Sequence, residues 1–203
     1  MKQIIFDFGD VFLDLNYEKA KTSFAALGFT EWTEEMKAIN QQYEKGLVTE
    51  NFFLTNLQQL SQPVALVNLD AVKTAWNSLL GPIPEYRIVF LEELVKKYPV
   101  YLLSNTDATH IHHVMSTYPK NLVDRFFACF TKVFYSFEMH QRKPDTEIYQ
   151  TVLQQINAQS NETLFVDDKL ENIQSAQQLG IHTWHLQVGK EDVVDLFQKF
   201  PQL

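Results

Sequence analysis

The chain has 203 residues, of which 45% are hydrophobic and 13% aromatic, including sixteen Phe; this is enough for a packed interior and excludes a disordered chain. A formal net charge of -8 argues against nucleic acid or an anionic membrane as the main partner. No run approaches the roughly eighteen apolar residues of a membrane span, and the N-terminus lacks a charged region followed by a long apolar one, so the expectation is a soluble cytoplasmic protein.

The first element is the apolar run from Lys2 to Phe6, which reads as a buried strand and delivers Asp7 into the turn Phe8-Gly9-Asp10. Residues 17 to 84 then carry helical patterns and no convincing strand. Ala20, Phe24 and Leu27 line one face before Gly28, and further helices are expected over 31 to 45, 49 to 61 and 65 to 80. The segment Gly81-Pro82-Ile83-Pro84 breaks this run.

Beyond it, strands are expected at Val100 to Leu103, Phe130 to Tyr135, Thr163 to Val166 and Ile181 to Leu186. Amphipathic helices alternate with them, with apolar faces at Ile88, Leu91 and Val95, at Ile148, Val152 and Ile156, and at Val193, Leu196, Phe197 and Phe200. Gly180 follows Leu179 where a helix C-cap belongs. The alternation indicates an α/β fold with a parallel sheet covered on both faces. The all-helical block lies after the first strand, so it reads as an inserted cap: residues 1–16 and 85–203 form the core, and 17–84 the cap.

Each of the first four strands ends in a polar cluster. These are Asp7, Ser104-Asn105-Thr106, Lys143 shortly after the third strand, and Asp167-Asp168. Carboxyl ends of parallel strands share one edge, where open α/β sheets bind ligands. Singly, the second cluster also reads as a helix N-cap and Lys143 as a solvated lysine at a helix entry. The adjacent acids Asp167 and Asp168 are harder to dismiss, because they repel one another unless a cation or hydrogen-bond donors offset them. Together the clusters suit phosphoryl transfer, with a carboxylate nucleophile, hard oxygen ligands for Mg2+, a hydroxyl for the phosphate and a lysine to offset charge.

In order, Asp7 after an apolar strand, "YLLSNTD", "RKPDTEIY" and "LFVDDKLENIQSAQQLG" resemble the four motifs of the haloacid dehalogenase-like hydrolase superfamily, over essentially the whole chain. The stretches "IIFDFGDVFLDLN" and "YEKGLVTENFF" most resemble its sugar-phosphate phosphatases of the alpha-D-glucose-1-phosphatase type. The resemblance implies a Rossmann-like core with a helical cap and a Mg2+-dependent phosphatase acting on a small phosphorylated metabolite. It implies Asp7 as nucleophile, Ser104, Asn105 and Thr106 as phosphate ligands, and Lys143 as contact to phosphate and Asp7. The metal ligands would be Asp7, the backbone carbonyl of Gly9 and Asp168, with Asp167 a further ligand or one acting through a water.

Gly9 departs from the superfamily's usual second aspartate, the general acid that protonates the leaving group. Glycine keeps the carbonyl for the metal and loses the carboxyl. A phosphatase that takes its proton from elsewhere, a weakly catalytic phospho-ligand-binding protein and a haloacid dehalogenase are the competing readings. Dehalogenation needs no divalent metal, which would leave Asp167-Asp168 without a purpose. Asp10 is expected as a solvated turn residue, His110, His112 and His113 as a polar helix face, His182 and His185 on opposite faces of a strand, and Cys129 as a buried inert thiol. Tyr43, Glu44, Trp76 and Asn77 are the cap's candidates for touching substrate.

Overall fold

The computed structural model describes residues 1–29, 31–61 and 67–203. Five strands, β1 (Gln3–Phe6), β2 (Val100–Ser104), β3 (Lys132–Tyr135), β4 (Thr163–Asp167) and β5 (His182–His185), form a fully parallel sheet in the order β3-β2-β1-β4-β5. Four helices lie between β1 and the rest of the sheet: α1 (Tyr17–Ala26), α2 (Glu34–Glu44), α3 (Glu50–Leu60) and α4 (Leu69–Asn77). The core helices follow as α5 (Glu85–Leu94), α6 (Ala108–Thr117), α7 (Lys120–Ala128), α8 (Ser136–Met139), α9 (Thr146–Gln155), α10 (Leu170–Gln178) and α11 (Leu196–Lys199).

The central strands β1, β2 and β4 are almost continuously apolar because helices cover both faces of the sheet. Alternate residues separate the two layers: Ile4, Phe6, Leu102, Val166 and Trp184 pack with α5 and α7, whereas Ile5, Leu103, Phe134 and Phe165 pack with α9 and α10. Successive connections run away from β1 on both sides, toward β3 on one and β5 on the other. The carboxyl end of β1 is therefore the switch point of the topology, where a crevice opens between diverging connections.

The cap has its own apolar core, built from residues such as Phe24, Met36, Phe53, Leu57, Val72 and Trp76. Its helices start where the sequence supplies a cap: side-chain oxygens of Asn16, Thr33, Thr49 and Asn68 each accept the backbone N–H three residues on, each contributing about 1 kcal/mol. Asn68 thus sets the start of α4 at Leu69, later than the expected 65; residues 65 and 66 lie outside the described residues. The two crossings between cap and core are tied together. Asp14 N donates to Pro82 O (2.9 Å), Gly81 N to Asp14 O (2.8 Å) and Asn16 N to Leu79 O (2.7 Å), and Leu15 bridges Leu80.

Two local expectations require correction. The apolar set Val193 to Phe200 is not one helix, because Asp192 caps a 3₁₀ turn at Val193–Asp195 that only then passes into α11. Cys129 is half-buried at the end of α7, since only one side of that helix end packs on the core; burial still raises its pKa, as expected of an inert thiol.

At its far side the cap rests on α8 and the loop after it. Arg142 pairs with Glu44 (3.0 Å) and Lys45 with Asp145 (2.8 Å). Between these pairs sits Gly46, with φ of 63°, where an added Cβ would land on the carbonyl oxygen of Phe137. Both the backbone conformation and the close approach demand glycine. Gly46→Ala is expected to lower stability by more than about 1 kcal/mol, read as a fall in the denaturant midpoint.

Candidate active site

Phe6 pairs with Leu102 on one side and Val166 on the other. One step further, Asp7 comes level with Leu103 and Asp167 at the carboxyl edge, and its N–H continues the ladder to Val166 O at 2.9 Å. Asp168 follows directly. Carboxylate oxygens of Asp7, Asp167 and Asp168 lie within 4.8 Å of one another.

Lys143, in the loop between α8 and α9, reaches into this group and is 1% exposed. Its ammonium lies 2.7 Å from Asp7 Oδ1 and 2.7 Å from Asp167 Oδ2, and donates to Leu103 O at 2.8 Å. All three donors are thereby used. The side chain of Asn105 clasps the backbone of the same lysine, accepting from Lys143 N (2.9 Å) and donating to Lys143 O (2.7 Å). Ser104 is buried at the end of β2. Thr106 is held by Ser136, whose Oγ accepts from Thr106 N and donates to Thr106 O, both at 3.0 Å.

Asp167 is fully enclosed and heavily bonded. Beside Lys143, it accepts from Lys169 N (2.8 Å) and from Asn172 Nδ2, at 2.9 and 3.0 Å to its two oxygens. Asp168 is different: its Oδ1 is buried without a hydrogen-bond partner. Three carboxylates thus face one buried cation, and the imbalance shows in their titration. Burial pushes the pKa of Asp7 up to about 6, with Lys143 pulling it down and Asp167 up. Burial, then Asp7 and Asp167, push Asp168 up to about 7. For Lys143, burial opposes the charge, but Asp167 and Asp7 outweigh it and raise its pKa. A hard divalent cation fits this donor set, because only added positive charge lets all three acids ionise together.

The turn after Asp7 corrects one expectation. Asp10 is buried rather than solvated, because its left-handed backbone (φ 57°) turns the carboxylate inward. There it accepts from Leu15 N (3.1 Å) and Tyr17 Oη (2.8 Å) and braces the loop. Beside it, a Cβ added at Gly9 would come within 3.0 Å of Leu15 Cδ1, so a side chain there would require Leu15 to shift.

His110 also departs from expectation. Asp107 caps α6, accepting His110 N at 2.9 Å, and this first turn points the imidazole under the cap. It is buried, stacks on Trp76 with ring centroids 4.8 Å apart, and approaches Trp76 O (3.1 Å) and Asp107 (3.3 Å). His112 is exposed and His113 half-buried. His182 contacts Asn161 O, while the Nε2 of His185 lies 2.9 Å from Asp168 O.

Among the cap candidates, Tyr43 is buried with its hydroxyl 2.5 Å from Thr109 Oγ1, and Trp76 Nε1 donates to Asp107 at 3.1 Å. Glu44 and Trp76 line a cavity of about 590 Å³ between cap and sheet edge; Gly9, Ser104, Asn105, Thr106 and Lys169 form its core end. Asn77 is buried, with an unpartnered Oδ1, and does not line it. Asn172, Lys169 and Asp107 are not singled out from the sequence, and His185 reads there only as one face of a strand. A helix starting directly after Asp167-Asp168 signals the first two, since its first turn must face those acids.

A family model described as haloacid dehalogenase-like hydrolase matches residues 1–180. The chain is 27% identical over 196 residues, 94% of each protein, to D-ribitol-5-phosphate phosphatase of Bacteroides thetaiotaomicron. It is 31% identical over 189 residues to a sesquiterpene phosphatase of Aspergillus oryzae, spanning 91% of this chain and 89% of that one. A B. thetaiotaomicron enzyme of the same family, crystallised with magnesium and inorganic phosphate, superposes with a TM-score of 0.82 at 34% identity, covering 94% of this chain and 96% of that one.

The raised pKa of Asp168 sets a sign for stability. The folded protein holds a proton there between the unstructured value of 3.8 and about 7, so without metal this group's contribution is lost as pH rises through 7. His113, whose pKa burial lowers, acts in the opposite direction. Metal-free wild type is therefore expected to lose stability relative to Asp168→Asn between pH 5.5 and 8, with Tm measured for both across that range.

Proposed function

Because the chain belongs to the haloacid dehalogenase-like hydrolase family, we propose that it hydrolyses phosphomonoesters through an aspartyl-phosphate on Asp7, with Mg2+ as cofactor. The observation that carries this reading is the group of three carboxylates served by a single buried lysine. It is a site short of one cation and built from hard oxygen donors.

The division of labour follows from which atoms are already engaged. Lys143 takes Oδ1 of Asp7, leaving Oδ2 to attack phosphorus. Asp168, with its unpartnered Oδ1, is the natural metal ligand, alongside Asp7 and the Gly9 carbonyl. Asp167 is committed to Lys143, Lys169 and Asn172, so it holds the lysine and would reach a bound metal as a further ligand or through a water. Magnesium, when bound, draws charge from the phosphoryl oxygens and lets Asp7 approach as an anion.

Ser104 holds the phosphate through its hydroxyl, Lys143 offsets the charge on Asp7 and the phosphoryl group from beside them, and Asn105 acts by fixing the lysine backbone. As the bond from phosphorus to the ester oxygen breaks, the electron pair leaves with the alcohol, which takes a proton from water; the hydroxide so left attacks phosphorus, breaking its bond to Asp7 and releasing inorganic phosphate. Asp10 is committed to Leu15 and Tyr17, so it does not replace the missing acid. The absent general acid slows turnover by about 10²- to 10⁴-fold relative to a site that has one, while metal and positioning still drive the reaction. The relatives' names cover a polyol phosphate and a terpenoid phosphate, and either falls within a small phosphorylated metabolite as substrate.

Asp7→Asn is expected to abolish phosphomonoester hydrolysis, and a chelator to remove it until Mg2+ is restored. Both are read as phosphate release. Hydrolysis that persists with the metal stripped would overturn this mechanism.

A further inference from the structure

The cavity above the carboxylates is where the alcohol part of an ester must lie, because it begins at Gly9, Ser104 and Lys169 and extends under the cap. Its volume, about 590 Å³, lies within the usual range for a drug-sized ligand, roughly 300–1,000 Å³. We propose that the substrate is a phosphomonoester of a bulky, largely apolar alcohol, rather than of a sugar or polyol. This rests on the phosphatase reading above and goes beyond it by naming the leaving group.

Two observations carry it. First, the walls are apolar: Leu15, Phe24, Phe29, Trp32, Trp76 and Ile111 all line the cavity. The rings form a continuous surface, with Phe24 edge-on to Phe29 and Trp32, and Trp32 stacked on Trp76 at 5.8 Å. Leu15 stands beside Gly9, so apolar surface begins next to the reacting centre.

Second, most of the polar groups that line the cavity are occupied, and Lys21 and Glu31, which are not, are exposed. Asn105 uses its amide on both backbone atoms of Lys143. Asp107 accepts His110 N with one oxygen and Trp76 Nε1 with the other. His110 spends its ring nitrogens on Trp76 O and Asp107. Glu44 accepts from Asn40 and Arg142, one on each oxygen. Tyr17 donates to Asp10. Asn40 Oδ1 has no partner but is itself enclosed. A polyol would exchange the hydrogen bonds its hydroxyls make in water for few in this cavity, which is unfavourable. An alkyl or isoprenoid chain would exchange water for aromatic and aliphatic contact, which is favourable.

The test is a chain-length series: monophosphates of ethanol, butanol, hexanol and octanol, with ribitol 5-phosphate, assayed with Mg2+. The value of kcat/KM is expected to rise about two- to fourfold per added methylene until the cavity is filled, carried by KM. Ribitol 5-phosphate is expected at least tenfold below hexyl phosphate. In parallel, calorimetry of the same compounds on Asp7→Asn is expected to show affinity and a negative heat-capacity change that both grow with chain length. A flat or falling series in both measurements, with ribitol 5-phosphate ahead, would overturn the proposal. Absence of turnover for every ester, with chain-length-dependent binding intact, would instead overturn the hydrolase reading and leave the apolar site standing.

Discussion

One ammonium group organises the catalytic edge. Lys143 sits between Asp7 and Asp167 and also caps the carbonyl of Leu103, so it ties together the ends of β1, β2 and β4. Those are the three central strands of the sheet. Because all of its donors are satisfied by fixed partners, the lysine has little freedom to wander. The residues around it serve mainly to keep it there, Asn105 from the backbone side and Asn172 through Asp167. A buried ion pair is a weak source of net stability; here its effect is to fix positions. It leaves an excess of negative charge beside it that a divalent cation can offset.

The cap completes the site by a different principle. Its inner surface spends its polar atoms on the core, through Tyr43 with Thr109, Trp76 with Asp107 and Glu44 with Arg142. These contacts hold the lobe over the sheet edge while leaving mainly carbon to face the cavity. The carboxylates and their lysine thus lie at the strand ends, under a mainly aromatic and aliphatic wall. The two are separate in sequence as well, since the charged cluster comes from 7, 143, 167 and 168 and the apolar wall chiefly from 15 to 80.

The division between legible and hidden features follows from what each depends on. The sheet was readable because buried parallel strands are apolar runs, and the acids at their ends stand out against such runs. Asp7, Asp167 and Asp168 stand out that way and the register brings them together, while Lys143 reaches them from the loop between α8 and α9. Asp10 and His110 were misplaced because their burial depends on backbone angles and cap contacts that no periodicity encodes. A left-handed residue turns Asp10 inward, and a tryptophan from 34 positions away covers His110. Asn172 and Lys169 were missed for a simpler reason: in sequence they look like an ordinary helix start, and only the packing of that helix end on Asp167 reveals their use.

The paired crossings at Asp14 to Asn16 and Leu79 to Pro82 bear on how such a protein diversifies. From the core's side, the whole cap is a loop whose two ends are already clamped beside each other. Closing a longer or shorter loop costs only about 0.6 kcal/mol per doubling of length. Closure therefore sets little limit on the length of the lobe above. The limit comes from the few cap side chains that brace the core, such as Tyr17 on Asp10 and Trp76 on Asp107; cap segments that spare them can be lengthened or trimmed between those clamps.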